Sequence, residues 1–143
     1  MQQVWFPGVH KDVGGGYPEA ESGLSKYPLQ WLLQEAAAAG LLVDQAKVAK
    51  VLGLDGSGNY AAAEPNAVLH ESLEGWWRLA EFLPKRHWNW TAGRWEYRMN
   101  LGRRRTMPAG ALVHESAYLR GPEYQSRLPG DARRVPVGGL AVP

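Results

Sequence analysis

Residues 8–17, GVHKDVGGGY, decide how the rest of the chain is read. They follow a short apolar run, Val4, Trp5 and Phe6, that predicts a strand over 2–6, closed by Pro7 and Gly8. The stretch from there to Gly23 is too glycine-rich for regular structure and is expected to be a loop. A helix is predicted from Ser25 as N-cap, with Leu29, Leu32, Leu33 and Ala36 at helical spacing and Gly40 as its stop. Pro28 is tolerated because it falls in the first turn, where backbone N–H groups lack helical partners. Strand, loop and helix in this order predict an α/β chain whose loop lies beyond a strand end, where such folds present catalytic groups.

Within that loop, His10 carries the chemistry. A neutral imidazole takes a proton from a hydroxyl near pH 7 because its pKa lies close to the working pH. From spacing alone, a catalytic role and a structural or surface role for His10 stand level. Asp12, two residues on, points away from His10 along an extended backbone, so its expected role is to accept backbone N–H groups and brace the loop. Gly14, Gly15 and Gly16 lack the lysine of a phosphate-binding loop and do not match GxGxxG. Their expected use is positive φ and close backbone approach around His10.

The remaining residues narrow the options. There is no cysteine, which excludes disulfides, thiolate metal sites and a cysteine nucleophile, and fits a cytosolic chain. His70, His87 and His114 are scattered without metal-ligand spacing and are read as structural or surface residues, so neither metal nor cofactor is expected. A net charge of +2 gives little reason to expect a nucleic acid or an anionic membrane as partner. No apolar run approaches the roughly 20 residues of a membrane helix, and no signal peptide is visible.

Further along, Asp44 is expected to cap a second helix carrying Val48, Val51 and Leu52, followed by an exposed turn, DGSGN, at 55–59. A helix over 66–83 is predicted from Leu69, Leu73, Trp76, Trp77 and Leu79, weakened by Gly75. Around Thr91-Ala92-Gly93 the alternation of Trp95, Tyr97 and Met99 with charged neighbours predicts a β-hairpin. Arg103, Arg104 and Arg105 read as a solvated turn, and the tryptophan pairs at 76–77 and 88–90 as packing. Residues 111–119 are expected to form a short helix, and 121–143 a Pro/Gly/Arg-rich tail.

VWFPGVHKDVGGGYPE, followed by GLSKYPLQWLLQEAAAAGL, resembles the type VI secretion phospholipase-effector-like α/β hydrolases, and the likeness continues in LHESLEGWWRL (69–79) and VHES (113–116). Lys11 stands where the family commonly has a small residue, and Pro28 is unusual in its helix. The resemblance implies a serine-dependent lipase or phospholipase in which His10 is the triad histidine, and secretion without a signal peptide as an alternative to a cytoplasmic location. It implies that 1–120 are the C-terminal part of an α/β-hydrolase fold: the last sheet strand, the histidine loop and the following helices, with a small hairpin. Hydrolases of that fold run serine, acid, histidine, and no GxSxG occurs here; Ser22, Ser25, Ser57, Ser72, Ser116 and Ser126 all lie outside an elbow context. The chain alone is therefore expected to be inactive, with nucleophile and acid supplied by a missing N-terminal portion or a separate chain, and a lipid or ester as substrate. The alternative is a non-catalytic, tryptophan-rich module that holds a protein or a membrane through the hairpin.

Overall fold

The computed structural model describes residues 2–71, 77–89, 92–102 and 105–138. In chain order the elements are β1 (Val4–Trp5), α1 (His10–Gly14), a single 3-10 turn (Glu19–Glu21), α2 (Lys26–Ala38), α3 (Gln45–Val51), α4 (Trp77–Ala80), β2 (Lys85–Asn89), β3 (Arg94–Arg98), β4 (Leu112–His114), α5 (Glu115–Tyr118), α6 (Pro122–Gln125) and β5 (Arg133–Val135). They fall into two compact units, one of 1–70 with 110–143 and one of 71–109. The architecture mixes helices with a small parallel sheet and an antiparallel pair.

In the first unit the sheet order is β1-β4-β5, parallel throughout, with Val4 opposite Leu112 and Val113 opposite Arg134. Two differences from the sequence reading follow. The strand predicted over 2–6 is only two residues long, and it is not the last of its sheet, because β4 and β5 come later in the chain. Residues 111–119, read as a helix, form β4 and only then the one-turn α5. Three residues, of which Val113 and His114 are both buried, are too few to show the alternation that separates a strand from a helix by pattern. Likewise the stretch from Gly121, read as a tail, supplies α6 and β5.

The loop after β1 is also more regular than its glycines promised. Residues 10–14 form α1 because Asp12 reaches back to the N-cap: its carboxylate accepts the Val9 N–H at 2.9 Å. Gly15, at φ +77, ends the helix in the left-handed conformation, its N–H donating to the Lys11 carbonyl. The helix predicted from Ser25 is α2, although Ser25 itself is helical and its hydroxyl donates to the Ser22 carbonyl instead of capping. Nor does α2 bury Leu32, which is exposed; Lys26 and Tyr27 go inside. The Lys26 ammonium is compensated by Glu19 at 2.5 Å and by the Val51 carbonyl at 2.9 Å, tying α2 to the 3-10 turn and to the end of α3. Farther along α2, the Gln30 and Gln34 amides both donate to the Gly138 carbonyl, at 2.7 and 2.8 Å. Asp44 caps α3 as expected, accepting the Lys47 N–H.

In the second unit β2 and β3 form the expected hairpin, pairing Trp88 with Trp95 and Arg86 with Tyr97. Of the helix predicted over 66–83, residues 66–71 are irregular and 77–80 are α4; 72–76 lie outside the described residues. Glu81 ties the end of α4 to residues 100–102. Its carboxylate accepts from the Asn100 amide and the Gly102 N–H, and its carbonyl from the Asn100 and Leu101 N–H groups.

The first unit's core gathers Leu24, Tyr27, Val48, Leu52, Val113 and Ala117. Among its buried polar residues is His114, at the end of β4. Phe6 stacks on its ring with centroids 4.7 Å apart, and its Nδ1 accepts the Ser116 N–H at 3.2 Å, capping α5. Burial pushes its pKa down to about 4, so the ring is neutral at pH 7. Below pH 6.5 the unfolded chain takes up a proton that the folded one refuses, and stability falls until about pH 4, by about 3 kcal/mol in all. His114→Asn keeps a capping acceptor and removes the titration. Urea unfolding measured between pH 7 and 4 is expected to give a flatter acid limb in this variant than in the parent chain.

Candidate functional site

Where β1 ends, Pro7 and Gly8 turn the chain toward α1. Gly8 has φ +118, and a Cβ there would overlap the Cβ of Asp12, so only glycine lets the turn lie against the loop's carboxylate. Sequence reading stressed 14–16, where the constraints are milder. Gly14 and Gly16 have no positive φ, and a Cβ on Gly14 would meet nothing, while one on Gly16 would press on the Cβ and Cγ of Lys11.

His10 is the first residue of α1, just past the C-terminal end of a parallel strand, and it is exposed. Asp12, two positions on, is buried. The two do different things. One oxygen of the Asp12 carboxylate accepts the Val9 N–H and the His70 N–H, at 2.9 and 3.3 Å; the other meets the His70 ring Nδ1 at 2.6 Å. Its oxygens are thus engaged by groups other than the His10 ring, and it fixes the loop by joining the start of α1 to a residue 58 positions away.

His70 is the residue that sequence reasoning missed. Besides Asp12 at Nδ1, its Nε2 meets the Glu21 carboxylate at 3.1 Å, and Tyr17 stacks on its face with ring centroids 3.5 Å apart and planes 15° from parallel. Lys11 in turn sits 5.7 Å from the Tyr17 ring centre. A ring with a carboxylate at each nitrogen is best served as an imidazolium that donates to both. The Asp12 hydrogen bond accordingly raises the His70 pKa, aided by Glu21 and opposed by partial burial. With both nitrogens engaged by carboxylates, the His70 ring has no free lone pair to act as a base in this arrangement. Its one local signal is its place in LHESLEGWWRL (69–79), which gives it no role, because its partners Asp12, Tyr17 and Glu21 lie in another part of the chain.

His87 lies on β2, opposite Glu96, in the second unit, and His114 is in the first unit's core. Among the described residues no group of three or more His, Asp or Glu side chains is placed to hold a metal ion. Arg103 and Arg104 lie outside the described residues, and Arg105 is exposed. No helix among the described residues is long and apolar enough to cross a membrane.

Residues 1–35, which include β1, α1 and the first part of α2, match the model of the family described as type VI secretion, phospholipase effector Tle1-like, catalytic domain. The uncharacterized protein YEL023C of Saccharomyces cerevisiae is 50% identical over 42 residues, 27% of this chain and 6% of that protein, so the chain spans a small fraction of this relative's length. No solved structure matches the chain.

The raised pKa of His70 makes a directional statement about pH. The latch between Asp12, His70 and Glu21 contributes its full stability below pH 6.5 and loses it as pH rises through the folded-state pKa of His70. In an NMR titration of the four histidines, the His70 ring is expected to titrate above 6.5 in the parent chain and to move down in Asp12→Asn. An unchanged midpoint in that variant would break the assignment of Asp12 as its chief partner.

Proposed function

We propose that the first unit, whose sheet includes β5 beyond residue 120, is the C-terminal part of a serine-dependent lipase- or phospholipase-like α/β hydrolase, in which His10 is the general base. The observation that carries this reading is the position of His10: exposed at the head of α1, beyond the C-terminal end of a parallel strand, on a loop pinned from below by buried Asp12. Ligands and catalytic groups of open α/β sheets gather at that end of the strands. The family match over 1–35 covers the same loop and supports the class of chemistry. The two nitrogens of the His70 ring are taken by carboxylates, which leaves His10 as the loop's available imidazole.

In the proposed reaction a serine Oγ attacks the ester carbonyl carbon while its proton passes to the His10 ring. The resulting imidazolium returns the proton to the departing alcohol, and a water molecule, deprotonated by the same ring, hydrolyses the acyl-enzyme. The serine and the acid come from residues outside these 143, since no GxSxG occurs among them and the Asp12 oxygens are engaged elsewhere. Asp12, Gly14, Gly15 and Gly16 support the loop and do no proton transfer.

The test is turnover of a lipid or short-chain ester. The 143-residue chain alone is expected to show none above background. Combined with a segment that supplies GxSxG and the strand-end acid, it is expected to turn over substrate. There His10→Ala lowers kcat by about 10³-fold or more, while His70→Gln, which only loosens the loop, costs far less. Turnover by the chain alone that is lost in His10→Ala would mean a nucleophile within these residues. Full activity of His10→Ala in the combined enzyme would remove His10 from the mechanism.

A further inference from the structure

We infer that the second unit, 71–109, is a docking surface for anionic phospholipid membranes. Its hairpin has two unlike faces. Strand alternation puts Arg86, Trp88, Trp95 and Tyr97 on one side and charged or polar partners, such as the His87–Glu96 and Lys85–Arg98 pairs, on the other. The aromatic side faces outward: Trp95 is 56% and Tyr97 74% exposed. Trp88 meets Trp95 edge-on at 5.5 Å, and the Arg86 guanidinium lies 4.8 Å from the Trp95 ring centre, so a cation is built into the aromatic face. Elsewhere in the same unit Leu79, Phe82 and Leu83 are also more than half exposed.

Charge selects the occupant. Residues 71–109 carry eight Lys and Arg against four Glu, a net +4, whereas the whole chain is +2, which leaves −2 for the rest. Five of the seven tryptophans lie in the same stretch. Trp and Tyr place an apolar ring and a polar N–H or O–H at the headgroup level of a bilayer, and Arg and Lys reach past them to phosphates. Two copies of the unit would each bring a net +4, and their aromatic faces would set Arg86 against Arg86, so self-pairing is opposed where an anionic lipid surface is favoured. The inference does not depend on hydrolase activity: a chain that turns nothing over would still bind.

The experiment is flotation of the full 143-residue chain with vesicles of phosphatidylcholine alone and with about 30% phosphatidylglycerol, at about 50 and 500 mM salt. Binding to the anionic vesicles is expected to be at least about tenfold stronger than to the neutral ones, and to weaken at high salt. Trp95→Ser with Tyr97→Ser is expected to reduce it by about tenfold. These side chains are exposed, and the variant is checked for an unchanged circular dichroism spectrum and melting temperature. Arg86→Glu provides a second variant that leaves the aromatic rings in place. No binding to anionic vesicles by the parent chain overturns the inference, as does equal binding to both vesicle types. So does a dimer in solution that the Trp95 and Tyr97 substitutions dissociate, which would make the face a contact between copies.

Discussion

The Asp12 carboxylate is the point on which the candidate site depends. Three bonds converge on it: the Val9 N–H, the His70 N–H and the His70 ring. The first forms α1 at all, since a helix of only five residues has little intrinsic tendency to form. The other two carry that local order across 58 residues of sequence and fix the loop against a distant segment. A buried carboxylate is costly unless its hydrogen bonds are met, so the arrangement is close to all or none. Gly8 belongs to the same constraint, because any side chain there would collide with Asp12.

Two histidines in the first unit are pushed in opposite directions by their surroundings. Burial in the core against Phe6 lowers the pKa of His114, while the Asp12 and Glu21 carboxylates raise that of His70. Their contributions to stability slope in opposite directions with pH, His114 penalising acid and His70 losing its partners in base. His10 differs from both in being exposed, the condition a proton-transferring ring needs to reach a substrate.

Local signals were legible in the sequence where their causes are local. Asp44 capping α3, the hairpin around Thr91-Ala92-Gly93 and the helix after Ser25 all rest on contacts within a few residues. The parallel sheet was not legible, because pairing Val4 with Leu112 and Leu112 with Arg133 leaves no mark on either partner. β4 was taken for a helix since three residues cannot show a period, and β5 was hidden in arginine-rich sequence whose side chains stay largely outside. At the site, His10 and Asp12 stood out by motif and by glycine context. His70 did not, since its role comes from tertiary placement beside Asp12, Glu21 and Tyr17.

The central claim is that Asp12 and His70 act as one unit in holding the loop that presents His10. A double-mutant cycle on the unfolding free energy at pH 6, using Asp12→Asn, His70→Gln and the pair, tests it most directly. The account predicts strong non-additivity: each single change destabilises the chain, and the second adds little once the first is made. Additive effects of the two substitutions would contradict it, showing that the loop is held without the bond between them.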